Sequence, residues 1–128
     1  MISRRILVVD DDPMLSDAIR TVAEGIGFDV SVANTSEDFY TLYGSSPPDI
    51  ILLDLQMPQA DGVELMRYLA ETGCAAAILL VSGVDGRTIR AAMRLGKARG
   101  LNVAGILQKP VSVSDLTTRL EEARSALA

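Results

Sequence analysis

Three consecutive carboxylates, Asp10-Asp11-Asp12, follow the apolar run Ile6-Leu7-Val8-Val9, and a fourth, Asp54, closes a second run, Ile50-Ile51-Leu52-Leu53. Lys109-Pro110 follows a third segment of this kind, Val103 to Gln108. Carboxylates and an ammonium brought together suit a divalent cation and a phosphoryl group. Two like charges ~4 Å apart at an effective dielectric of ~20 repel by about 4 kcal/mol, so a cluster of Asp10, Asp11 and Asp54 should have raised carboxyl pKa values and attract a cation. Mg2+ fits, because it takes hard oxygen ligands, keeps several waters and shares its shell with phosphates. With charge so neutralised, a carboxylate can act as nucleophile toward phosphorus. Asp54 stands alone at its strand end and is the expected nucleophile. Asp10 and Asp11 form a metal-holding pair, and Lys109 supplies a second positive charge. Ser82, which ends a fourth apolar run, can hydrogen-bond a phosphoryl oxygen, and Gly83 behind it should leave room for the phosphate. That bond would draw the loop Val84-Asp85-Gly86 toward the site.

These residues can meet only if the runs that carry them are neighbouring strands. Short apolar runs alternate with amphipathic stretches, a βαβ rhythm that implies an α/β fold with a parallel sheet covered on both faces. Five strands are expected, over Ile6 to Val9, Phe28 to Ala33, Asp49 to Leu53, Ala76 to Val81 and Val103 to Gln108. Their carboxyl ends are where open α/β sheets build ligand sites. The first helix should start at Pro13 with Asp12 as cap, bury Leu15, Ala18, Ile19 and Val22, and stop at Gly25 and Gly27. A second should span Ser36 to Tyr43, ended by Ser45-Ser46-Pro47-Pro48. A third opens at Gly62, buries Val63, Leu65, Met66 and Leu69, and ends at Gly73. The fourth covers Arg87 to Lys97. The fifth runs from Val113 to Leu127, capped by Ser112 or Ser114, with Leu116, Leu120, Ala123 and Leu127 inward. Tyr40 and Tyr43 read as packing residues.

At 128 residues with 48% hydrophobic content, the chain has room for one domain, residues 1–128, and a real core. A net charge of -5 argues against nucleic-acid binding by this domain, since such proteins need a basic face to displace counterions. The single cysteine, Cys74, forms no internal disulfide and fits a reducing compartment. Met1-Ile2-Ser3-Arg4-Arg5 leads into a run too short for a signal peptide or membrane span, so no membrane association and a cytoplasmic location are expected. Histidine is absent. No imidazole ligand, Ser-His-Asp triad or phosphohistidine can therefore come from this chain.

In this order and spacing the segments Ile6-Leu7-Val8-Val9-Asp10-Asp11, Asp49-Ile50-Ile51-Leu52-Leu53-Asp54 with Met57-Pro58 and Gly62, Ser82-Gly83 and Lys109-Pro110 form a specific signature. The chain resembles the receiver domain of two-component response regulators, of the chemotaxis-regulator kind, over essentially its full length. The resemblance implies a doubly wound, flavodoxin-like sheet of order 2-1-3-4-5 with five helices. It implies that Asp54 accepts phosphoryl from the phosphohistidine of a sensor histidine kinase or histidine phosphotransfer protein. Mg2+ would then be bound by Asp11 and Asp54 directly, by Asp10 through water, and by the backbone carbonyl of Gln56, with Ser82 reporting the phosphate and Lys109 pairing with it. The family usually carries a tyrosine or phenylalanine three residues before the lysine, whose inward swing accompanies activation; here that residue is Ile106. The stretch Gly96-Lys97-Ala98-Arg99-Gly100-Leu101, continuing through Gly105 to Pro110, looks like receivers joined to cyclic-dinucleotide phosphodiesterase domains.

The expected function is a phosphorylation-controlled switch in a phosphorelay, not an enzyme. A Mg2+-dependent phosphohydrolase would need an acid near the nucleophile, and Leu55-Gln56-Met57-Pro58 offers none. A phosphorylation-independent interaction module is disfavoured by the full acidic set, with only the missing aromatic in its support. Arg87, Arg90, Arg94 and Lys97 recur at helical spacing, opposite an apolar face of Ile89, Ala92 and Met93. This is either a solvated face or, with the last strand, a docking surface for an output domain or acidic downstream protein.

Overall fold

The computed structural model describes residues 4–57, 62–83 and 86–127. Met1 to Ser3, Pro58, and Val84 and Asp85 of the loop after Gly83 lie outside the described residues. Along the chain run β1 (Arg5–Val9), α1 (Pro13–Gly25), β2 (Asp29–Ala33), α2 (Ser36–Ser45), β3 (Ile50–Asp54), α3 (Gly62–Glu71), β4 (Ala77–Ser82), α4 (Gly86–Arg99), β5 (Asn102–Gln108) and α5 (Val113–Ala126). The strands form one parallel sheet in the order β2-β1-β3-β4-β5, the doubly wound order expected. Chain direction across the sheet reverses at β1, which has β2 on one side and β3 on the other. The crevice beyond the carboxyl ends of β1 and β3 is thus the topological switch point.

Alternation within each strand supplies two cores. Leu7, Val9, Ile51, Leu53, Ile78 and Leu80 pack with Phe39, Leu65, Met66, Leu69 and Ala92 on one face. Ile6, Val8, Ile50, Leu52, Leu79 and Val81 pack with Ile19, Ala23, Leu116, Leu120 and Ala123 on the other. Because both faces are covered, β3 and β4 read as continuous buried runs. Helix starts are capped beside the sheet's carboxyl rim. The Asp12 side chain accepts from Met14 and Leu15 N–H with Pro13 at the first position, Thr35 accepts from Asp38 N–H, and Ser112, not Ser114, accepts from Asp115 N–H.

Several boundaries and faces differ from those expected. Asp54 and Ser82 are the last residues of their strands, with Asp54 opposite Val81 and Ser82 opposite Gln108. α2 continues to Ser45 and α4 spans Gly86–Arg99. Ala18 is exposed, and Ser16 and Ala23 share the buried stripe with Ile19. Alanine has little area to bury, whereas the Ser16 hydroxyl turns inward to bond the carbonyls of Asp12 and Pro13. Met93 is 42% exposed, because it borders an open groove between α4 and β5 with Arg94, Lys97, Leu101, Asn102 and Val103. Leu127 follows α5 and is half-buried.

β5 carries an irregularity: Ile78 pairs with Val103, but Leu79 pairs with Gly105, so Ala104 is an extra residue. This shift puts Val103 and Ile106, an odd number of residues apart, against the same core. It also sets Ser82 opposite Gln108, so that Lys109 N–H donates to the Ser82 carbonyl at 2.8 Å and the lysine leaves the sheet at the rim.

Candidate phosphoryl and metal site

Asp10 and Asp54 leave adjacent strands and both are 1% exposed. Each is fixed by the same local device, a carboxylate oxygen accepting the backbone N–H two residues on. Asp12 N–H donates to Asp10 Oδ1 at 2.9 Å, and Gln56 N–H donates to Asp54 Oδ1 at 2.9 Å. The second oxygens turn toward Lys109, whose Nζ lies 3.0 Å from Asp54 Oδ2 and 3.6 Å from Asp10 Oδ2. Asp11 is exposed at the mouth, and one carboxylate oxygen from each of Asp10, Asp11 and Asp54 lies within 4.8 Å of the others.

Two buried carboxylates thus share one ammonium, with the exposed Asp11 beside them. Burial, opposed by the Asp12 N–H and reinforced by the neighbouring charge of Asp54, holds the Asp10 carboxyl above its usual range. Burial pulls Lys109 down, but its hydrogen bond to Asp54 and the charges of Asp10 and Asp54 outweigh that and leave it above its ordinary value. Asp10 Oδ2 is buried without a hydrogen-bond partner. A buried carboxylate oxygen left so, beside two further hard oxygens, is what a small divalent cation would satisfy. The residues present therefore fit Mg2+.

Ser82 is 0% exposed and its Oγ has no hydrogen-bond partner. An unsatisfied buried hydroxyl costs about 1–3 kcal/mol, so this group is suited to an incoming oxygen. Gly83 departs from the expectation that it leaves open space. Gly83 N–H donates to Gln56 Oε1 at 3.2 Å, and a Cβ on Gly83 would lie 2.7 Å from that oxygen. The room is taken by the Gln56 carboxamide. Gly62 serves close packing instead, since a Cβ there would lie 2.8 Å from Leu55 Cα.

The structure gathers Asp10, Asp11, Asp54 and Lys109, sets Ser82 at the same rim through the bond of its carbonyl to Lys109 N–H, and places Gln56 beside Asp54 through its own N–H. Sequence reasoning missed the Gln56 side chain and two polar residues behind the acidic loop, Asn34 and Ser16. Asn34 Nδ2 lies 2.7 Å from the Asp10 carbonyl and 3.1 Å from Ser16 Oγ. A polar residue directly after β2, level in the sheet with Asp10, was the available signal.

A doubly wound parallel sheet with this acidic and lysine rim at its switch point defines a receiver-type signalling domain, and the chain belongs to the response regulator receiver domain family, which it matches over residues 6–121. It is 33% identical over 118 residues to response regulator MprA of Mycolicibacterium vanbaalenii, an overlap of 91% of this chain and 48% of that protein. It is 32% identical over 120 residues to response regulator MprA of Mycobacterium bovis, covering 92% and 49%. The chain thus spans about half the length of these curated relatives. Among solved structures, the signal receiver domain of a response regulator from Bermanella marisrubri is similar with a TM-score of 0.83 and 31% identity, covering 95% of this chain and 98% of that one. The signal receiver domain of an HD domain-containing protein from Pseudomonas fluorescens Pf-5 has a TM-score of 0.86 at 20% identity, covering 98% and 97%, and shares the fold. Receiver domains of response regulators are signalling modules of two-component systems that typically bind Mg2+ at an acidic site.

Proposed function

We propose that Asp54 is the phosphoacceptor and that Asp10, Asp11, Asp54 and the Gln56 backbone carbonyl hold Mg2+. The observation that carries this reading is the contact of the buried Asp54 Oδ2 with Lys109 Nζ at 3.0 Å, beside Asp10 Oδ2, which lies 3.6 Å from the same ammonium and has no hydrogen-bond partner. A carboxylate oxygen of Asp54 forms the new O–P bond while the N–P bond of a partner's phosphohistidine breaks and its electron pair returns to the imidazole. No histidine lies within these 128 residues, so the donor imidazole comes from outside this domain, and we assign it to a sensor histidine kinase or histidine phosphotransfer protein. Mg2+, when bound, supplies neutralisation of the transferring phosphoryl oxygens.

Lys109 orients Asp54 beforehand and pairs with the phosphoryl group afterwards. Ser82 Oγ, buried and unpaired, gains a hydrogen-bond acceptor only when the phosphoryl group arrives. That bond exists in one state and not the other, which is what shifting a conformational equilibrium requires. Ile106, half-buried against the core cluster that also holds Val103, takes the position of the family's aromatic. The signal is then carried by the rim of β4 and by β5 rather than by a moving ring.

The output surface we propose is α4 with β5. Among the described residues Arg90, Arg94 and Lys97 enter no ion pair, and α4 contains no acidic residue. Such a face suits an acidic partner or output domain. No described helix is long and apolar enough to cross a membrane, and we assign the work to the cytoplasm without turnover of an external substrate. Intact mass after incubation with acetyl phosphate and Mg2+ tests the reading. One added phosphoryl group, lost in EDTA and in Asp54→Asn, is expected; an unchanged mass with acetyl phosphate and with phosphohistidine donors would overturn it.

A further inference from the structure

The β1–β2 ladder ends where Asp10 N–H donates to the Ala33 carbonyl at 3.1 Å. β2 then gives way to the cap of α2 at Thr35, so among the described residues no backbone N–H continues the ladder to the Asp10 carbonyl. The Asn34 side chain takes over that bond at 2.7 Å. Its second N–H reaches Ser16 Oγ at 3.1 Å, and Ser16 Oγ donates onward to the Asp12 carbonyl at 2.9 Å, with the Pro13 carbonyl at 3.2 Å. The amide orientation is fixed by its partners, because turning it over would set two carbonyl oxygens against each other.

We infer that Asn34, seated on Ser16, is a positioning residue for the divalent-cation site. The relay ties the carbonyls at both ends of Asp10-Asp11-Asp12. Asp11, exposed and without a hydrogen bond among the described residues, is held between the two tied points. Three like charges repel one another, and a loose loop would relax by carrying Asp11 away from Asp10 and Asp54. The tie denies it that relaxation and keeps Asp10 and Asp11 converged on Asp54. Supporting groups of this kind set metal affinity by orienting ligands they do not replace. The inference rests on the assignment of Asp10, Asp11 and Asp54 as the metal site given under Proposed function.

The test is calorimetric titration of Mg2+ into the full chain, with melting temperature in EDTA as the companion readout. Asn34→Ala should weaken Mg2+ binding about five- to tenfold. Ser16→Ala should weaken it about two- to threefold, and the double variant should be no weaker than Asn34→Ala alone, because both act through one relay. Asn34→Asp separates geometry from charge. Added negative charge alone would tighten Mg2+ binding, whereas loss of the donor facing the Asp10 carbonyl should weaken it. Mg2+ affinity within twofold of wild type in Asn34→Ala, with or without a lower melting temperature, would overturn the inference, as would tighter binding in Asn34→Asp. If Asn34→Ala does not fold, the Ser16→Ala affinity decides: an unchanged value overturns the inference. A wild-type chain that binds no Mg2+ would instead remove the metal assignment itself, a result visible before any variant is compared.

Discussion

Asp49 immediately precedes β3 and Asp54 ends it, so one strand carries the same side chain at both ends under opposite conditions. Asp49 is half-exposed; its Oδ2 accepts Arg5 N–H at 2.9 Å and its Oδ1 lies 3.9 Å from Arg4 Nη1. The same neighbourhood is closed by Arg4 donating to the Leu127 carbonyl, and further along α5 Arg124 donates to the Ile26 carbonyl and lies over the Phe28 ring. There each charge has a counter-charge, a carbonyl or water. Asp54 is buried with Asp10 and shares a single ammonium with it. The amino-terminal rim of the sheet is electrostatically complete, and the carboxyl-terminal rim is not. That deficit is what the proposed cation and phosphoryl group would relieve, and it lowers the stability of the metal-free fold.

If this contrast holds, exchanging the two aspartates for asparagine should give unrelated results. Asp54→Asn should abolish phosphoryl gain from acetyl phosphate by intact mass, while Asp49→Asn should leave it unchanged. The next largest effect is expected at Lys109. Lys109→Ala leaves two buried carboxylates without their cation, so urea unfolding in EDTA should show a loss of about 2–3 kcal/mol, toward the low end for breaking a buried pair because the lysine is partly exposed. Added Mg2+ should restore part of it.

The pH dependence sharpens the comparison further. Asp10 has a folded pKa above its unfolded value, so between the two the native state binds more protons, and the metal-free chain gains stability as pH falls through that window. Lys109 is also raised, so its contribution is present below its unfolded pKa and is lost as pH rises through the folded one. In EDTA the melting temperature of wild type relative to Asp10→Asn should therefore rise on acidification from neutral pH toward the ordinary aspartate range. Asp10→Asn should itself be more stable than wild type in EDTA and bind Mg2+ more weakly. The smallest effect belongs to the complete rim. Asp49→Ala should cost about 1 kcal/mol in urea unfolding, the scale of one hydrogen bond and an exposed ion pair, with Mg2+ affinity unchanged.

The strands, both core faces, the switch-point location and the acidic and lysine residues could be read from sequence, because each is encoded by local pattern: continuous apolar runs, and charges placed directly after them. What could not be read depends on contacts between elements far apart in the chain. Asn34 and the Asp10 carbonyl are 24 residues apart, and Gln56 and Gly83 are 27 apart. Nothing in the composition of either loop signals that a carboxamide completes a strand ladder or fills the space beside a glycine. Ser16 reads as a polar helix position until its inward hydrogen bonds are seen. The extra residue at Ala104 was hidden for another reason: a bulge on an edge strand breaks the alternation by which strand faces are assigned.

The central claim is that Asp54, at the end of β3, is chemically reactive and that Asp49, just before β3, is structural. Borohydride reduction after phosphorylation with acetyl phosphate and Mg2+ converts an aspartyl phosphate to homoserine, and peptide mapping by mass spectrometry locates it. The account predicts homoserine at position 54 and none at 49, 10 or 11. Homoserine at any of those other positions, or none after acetyl phosphate and phosphohistidine donors alike in a chain shown to bind Mg2+, would contradict it.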